Sequence, residues 1–175
     1  MSQEPKNKWT VQKVKTFLGN EGRGFNAELC RNGKPVCFVI DAAQGGEYDY
    51  DWYDRGLYVD INGIDYTNKV HVYKGTPEEK LFVEYANQQT YVSEYGKRET
   101  LHKDADMIAG ELVDVWESNR KFRRLSEKET LFRVVGDPEG SWRVIRTPFH
   151  LKVVDGLKAK YQDKLETVYD PAVGF

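Results

Sequence analysis

The dipeptide Asn32-Gly33, set between the β-rich runs 25–31 and 34–40, constrains this chain more than any other feature. A two-residue Asn-Gly loop favours a type I′ turn, whose positive φ angles these residues accommodate and whose twist matches the flanking strands. Arg31 then pairs with Lys34. Strict alternation from that pair sets Leu29 against Val36, Ala27 against Phe38 and Phe25 against Ile40, so Phe25, Leu29, Val36, Phe38 and Ile40 are expected buried on one apolar face. The glycine-rich runs 19–24 and 41–46 must then emerge side by side, at the end away from the turn. This juxtaposition defines the candidate ligand site. Arg23 is its anion contact, Gly24, Asp41, Gln44, Gly45 and Gly46 are its frame, and Tyr48 and Trp52 are its stacking surface.

The remainder reads as an α+β chain. Residues 9–17 add a strand with Lys13 and Lys15 outward, and Tyr48, Tyr50 and Trp52 alternate with Asp49 and Asp51 so that aromatic and acidic side chains take opposite faces. Asn62-Gly63 is a second turn signal, which leads to a β-rich stretch at 69–73, and the first seventy-odd residues therefore predict an antiparallel sheet of five or six strands. Thr76-Pro77-Glu78-Glu79 carries the grammar of a capped helix start. Residues 104–125 form the clearest helix, with cations near its C-terminus where they suit the dipole. A second hairpin is expected near 130–146, and Thr147-Pro148 repeats the helix-start grammar before a short returning strand at 165–169. The expected organisation is a disordered tail over 1–8 and a single domain over 9–175, β-rich to 75 and α-rich beyond. In that domain an antiparallel N-terminal sheet packs with two to three helices.

The content of 39% hydrophobic and 13% aromatic residues suffices for a core, and no apolar run approaches the length of a membrane span. Residues 1–8 are too polar for a signal peptide, so the expected location is cytoplasmic, without membrane partners. Cys30 and Cys37 fall on one hairpin face but opposite Pro35 and Glu28, a poor geometry for a disulfide. The net charge of −2 conceals a segregation: seven acids against Arg55 alone between 41 and 65, and twelve Lys/Arg against six Asp/Glu between 120 and 164. Such a pattern suits a charged partner or a homo-oligomer. The basic stretch Arg120-Lys121-Phe122-Arg123-Arg124 reads as a solvated helix end, because nucleic-acid binding usually shows a basic domain overall.

Catalytic grammar is missing. The 19–24 run has no Lys-Ser/Thr and leads into a strand, and His71, His102 and His150 stand apart from any metal-ligand spacing. No serine sits in a Gly-x-Ser-x-Gly elbow. No catalytic residue and no cofactor are assigned. Asp49 and Asp51 are the one pair that could help hold a divalent cation, and clustered carboxylates with a metal supply the alternative reading, a metal-dependent hydrolase.

The segment Glu21-Gly22-Arg23-Gly24-Phe25-Asn26-Ala27-Glu28-Leu29, with Asn32-Gly33-Lys34-Pro35-Val36 and then Gly45-Gly46, resembles small uncharacterised proteins carried by bacteriophages and mobile elements of bacteria. The resemblance covers about a quarter of the chain and implies no catalytic residues. It implies an accessory factor in the bacterial host cytoplasm, a host-defence inhibitor that binds a host protein or sequesters a small anionic ligand. A non-enzymatic binding protein is the expected function.

Overall fold

The computed structural model describes residues 7–64, 70–93 and 98–174, and the chain is α+β. It divides into two compact units, one up to Asp114 and one from Val115 onward.

The first unit is built on a four-stranded antiparallel sheet of β1 (Trp9–Gly19), β2 (Gly22–Arg31), β3 (Lys34–Asp41) and β4 (Asp49–Trp52), in that spatial order. The Asn-Gly turn forms as expected, with Asn32 at φ 51° and Gly33 at φ 78°, and Arg31 faces Lys34. Lys8 is tied to this turn: its N–H donates to Asn32 Oδ1 at 2.9 Å, and the Asn32 N–H donates to its carbonyl at 2.8 Å. Of the tail expected at 1–8, residues 1–6 lie outside the described residues.

Beyond the turn the register departs from strict alternation. Cys30 faces Pro35 but Leu29 faces Cys37, so Val36 is an extra residue on β3, a β-bulge. Every later residue of the strand changes face. Cys37 and Val39 are fully buried, Cys37 opposes Leu29 rather than Glu28, and Phe38 and Ile40 are only half-buried. The expected burial of Phe25, Leu29 and Val36 is met. Residues 36–40 are apolar at every position, so their pattern supports either phase and the bulge selects one. Both cysteines are buried free thiols. A second bulge, with Lys13 at φ 53°, interrupts β1 and leaves Lys13 and Lys15 exposed.

The strands that follow do not extend this sheet. Among the described residues β5 (Val59–Gly63) and β6 (His71–Gly75) pair only with each other, so the first seventy-odd residues show four sheet strands plus a separate two-stranded ribbon. Asn62-Gly63 is not a turn: both residues lie inside β5, facing Val72 and His71. A Cβ on Gly63 would stand 3.0 Å from the His71 ring and 3.2 Å from that of Tyr73, so glycine here serves a close approach of side chains.

Helix α1 (Pro77–Asn87) starts as its sequence predicts, with a complete capping box between Thr76 and Glu79. Its Phe82 is fully buried against Trp9 at 4.8 Å, Trp52 at 6.1 Å and Tyr50 at 6.4 Å between ring centroids. Arg31 holds both carboxylate oxygens of Glu78 at 2.5 and 2.7 Å, and Asp54 accepts the Glu78 N–H at 2.8 Å, fastening the helix start to the sheet. A short hairpin of β7 (Thr90–Val92) and β8 (Thr100–His102) leads to α2 (Ala105–Ser126), which runs on into the second unit.

In the second unit β9 (Thr130–Val134) lies between β10 (Arg143–Ile145) and β11 (Leu165–Val168), antiparallel to both. The hairpin expected near 130–146 is therefore present. Helix α3 (Leu151–Tyr161) starts later than Thr147-Pro148 suggests, because the His150 ring caps it by accepting the Lys152 N–H at 3.1 Å. Phe132, Val134 and Leu157 form a small buried cluster. Phe122, Trp142 and Tyr169 meet edge to face, and the Tyr169 hydroxyl donates to the Asn119 carbonyl at 3.0 Å.

Candidate functional site

The glycine-rich runs do lie side by side. The Glu21 N–H donates to the Ala43 carbonyl at 2.9 Å, and a Cβ on Gly24 would reach the Asp41 carbonyl at 2.5 Å. Asp41 closes its own loop by accepting the Ala43 N–H at 2.8 Å, and Gln44, Gly45 and Gly46 are exposed. Two charges already occupy this end. The Glu21 carboxylate rests against Gly45, and Arg23 pairs with Asp114 at 2.6 Å. An anion there would meet a carboxylate beside the backbone amides and compete with Asp114 for the guanidinium.

Trp52 belongs to different surroundings, and Tyr48 stands between the two, beside the Asp41 carboxylate. Alternation along β4 sends Asp49 and Asp51 outward, where Asp51 pairs with Arg55, and turns Tyr48, Tyr50 and Trp52 to the inner side. There they form one wall of a cleft of about 880 Å³. Its other walls come from Gly63, Ile64, His71 and Tyr73 of the β5–β6 ribbon, from Glu79, Val83 and Asn87 of α1, and from Asp104, Ala105 and Asp106 at the start of α2, with Glu47 also contributing. Tyr50 and Trp52 stack nearly parallel, 5.9 Å apart at 10°, and His71 stacks on Tyr73 at 5.3 Å and 26°. Tyr48 stands edge-on to Phe25, and its hydroxyl lies close to Gly110.

Asp106 is the fixed point of this cleft. Its Oδ1 accepts the Tyr50 hydroxyl at 2.8 Å and its Oδ2 accepts the Tyr48 N–H at 3.0 Å, which locks the carboxylate plane. Burial raises its pKa above the usual aspartate range, and those two hydrogen bonds oppose the rise. Tyr48 is pushed up to about 12, chiefly by burial, with the neighbouring carboxylates adding to it. Burial and Asp106 raise Tyr50 further, and burial and Glu79 raise Tyr73. At neutral pH these phenols therefore stay protonated: they are walls and donors, not bases.

Four carboxylates line the cleft, and no lysine or arginine stands among its described lining residues. Two of the four also have structural work. Glu79 completes the α1 capping box, and Asp104 accepts the Met107 N–H at 2.8 Å to cap α2. Among the described residues no three His, Cys, Asp or Glu side chains converge as a metal-binding set. Cys37 offers no nucleophile, because burial pushes its thiol pKa strongly up.

Sequence reasoning reached Tyr48 and Trp52 through their alternation and missed Asp106, Glu79, His71 and Tyr73. Asp104 and Asp106 fall within the helix expected at 104–125 with nothing to set them apart, and Gly63 read as a turn. The basic stretch of α2 lines a second hollow of about 830 Å³, in the second unit, where Arg120, Lys121, Arg124 and Lys128 are interspersed with Glu117, Glu127 and Glu129, so no field of one sign develops. No helix is long and apolar enough to cross a membrane among the described residues. Comparison with protein-family models, with curated proteins and with solved structures finds no match to this chain.

Proposed function

We propose that this is a non-enzymatic binding protein whose acidic, aromatic cleft captures a cationic group presented by a partner protein. One observation carries the reading: four carboxylates and two stacked aromatic pairs line one cleft whose described lining includes no Lys or Arg side chain to neutralise it. A cation entering there gains attraction from the carboxylates and from the faces of the rings, in surroundings drier than bulk water. The cleft's size suits a short protein segment or a drug-sized molecule. The resemblance of the 21–46 segment to phage and mobile-element proteins supports placing the partner in a bacterial host, with the protein acting as an accessory factor that inhibits a host component by occupying it.

The test is site-specific photocrosslinking from position 47, on the cleft's exposed rim, in bacterial cells that produce the protein. The expected result is a discrete adduct whose crosslinked peptide contains Lys or Arg, and loss of that adduct in a Glu79→Gln, Asp106→Asn variant that still folds. Turnover of a nucleotide panel with Mg²⁺ or Mn²⁺, lost on changing Asp49 and Asp51 to Asn, would contradict the reading and favour the metal-dependent hydrolase.

A further inference from the structure

Resting on the reading of the cleft as a cation site, we infer that its ligand is a guanidinium, the side chain of an arginine within a peptide segment, rather than an ammonium. The Asp106 carboxylate carries the first argument. Each of its oxygens already accepts one hydrogen bond, from Tyr50 Oη at 2.8 Å and from Tyr48 N at 3.0 Å, so its plane is fixed and, among the described residues, each oxygen keeps one acceptor direction. A planar fork of N–H donors matches two fixed, coplanar acceptors; a compact ammonium engages them only as a point charge.

The walls carry the second argument. The rings of Tyr50 and Trp52 on β4 and of His71 and Tyr73 on β6, each pair stacked within itself, all line the cleft, so aromatic walls bound it from two separate elements. A guanidinium stacks on such rings while its edge keeps its hydrogen bonds, and it is more weakly hydrated than an ammonium, so entering a half-buried site costs it less. Gly63 fits the same design, since the close approach it allows places the His71–Tyr73 stack at the cleft wall. The third argument is size. A volume of about 880 Å³ exceeds what one side chain fills, so flanking residues of the ligand occupy the remainder.

The experiment is calorimetric titration of the full chain with four probes: the pentapeptide Gly-Gly-Arg-Gly-Gly, the same peptide with citrulline or with lysine at its centre, and N-acetylarginine amide. The arginine peptide is expected to bind, with the citrulline peptide at least about tenfold weaker, the lysine peptide about fivefold weaker or more, and the free amide weaker than the peptide. Equal binding of the lysine and arginine peptides overturns this inference but leaves the cation reading standing. Citrulline binding as tightly as arginine, or no binding of any probe, overturns both. The free amide binding as tightly as the peptide overturns the assignment to a peptide segment and points to a small guanidinium compound. Asp106→Asn should reduce arginine-peptide binding about tenfold; Glu47→Gln, on the exposed rim, should reduce it about twofold to fivefold and supplies the reading if the first variant does not fold.

Discussion

The two units use aromatic side chains in opposite ways. In the first, Phe82 gathers Trp9, Tyr50 and Trp52 into a buried centre, and the same strand that supplies two of those rings turns them toward a cleft in which the Asp104, Asp106 and Glu79 carboxylates are held by hydrogen bonds. In the second, the aromatic trio of Phe122, Trp142 and Tyr169 closes on itself, and charges pair at the surface, Arg133 with Glu166 and Arg143 with Asp137. Each unit has acids and bases in quantity. A candidate site arises only where charges of one sign share a concave, aromatic wall, and net charge along the sequence does not reveal that.

The comparison is broken most directly at the centre of the first unit. Phe82→Ala should destabilise by about 3–5 kcal/mol, since the ring is fully buried among three others, as read by chemical denaturation followed through tryptophan fluorescence. Leu157→Ala in the second unit's smaller cluster should cost about 2–3 kcal/mol, at the lower end for such truncations; a loss equal to that of Phe82→Ala would remove the energetic contrast. Arg31→Ala should cost about 1.5–3 kcal/mol, because it strands the largely buried Glu78 carboxylate at the start of α1. Phe38→Ala should cost only about 1–2 kcal/mol, because the bulge at Val36 leaves that ring partly exposed, and a loss above about 3 kcal/mol would restore strict alternation.

The smallest effect is a titration. Arg143 and the Val134 N–H hold the Asp137 carboxyl below the usual aspartate range. A depressed folded pKa contributes stability that is present above the unfolded value and lost as the pH falls through the folded one. By carbon-detected NMR, Arg143→Ala should move the Asp137 midpoint upward; an unmoved midpoint would mean that the surface pair does not govern it.

What the sequence made legible was local. Asn32-Gly33 set its turn because two residues suffice to do so, and Thr76 to Glu79 set a capping box for the same reason. The bulge at Val36 was hidden because an all-apolar strand has no phase to read. Gly63 was misread because close approach to His71 and Tyr73, 8 and 10 positions on, leaves the same mark in the sequence as a turn. Asp106 could not be linked to Tyr48 and Tyr50, more than fifty residues earlier, because that contact depends on where α2 begins in space.

The central claim, that the acidic aromatic cleft of the first unit is the capture site, is tested most directly by backbone amide NMR of the full chain titrated with the arginine pentapeptide. The largest shifts should fall at Glu47, Tyr48, His71, Tyr73, Asn87 and Asp106, with the second unit undisturbed. Shifts centred on Gly24 and Gly45, or on the α2 stretch from Arg120 to Lys128, would contradict it.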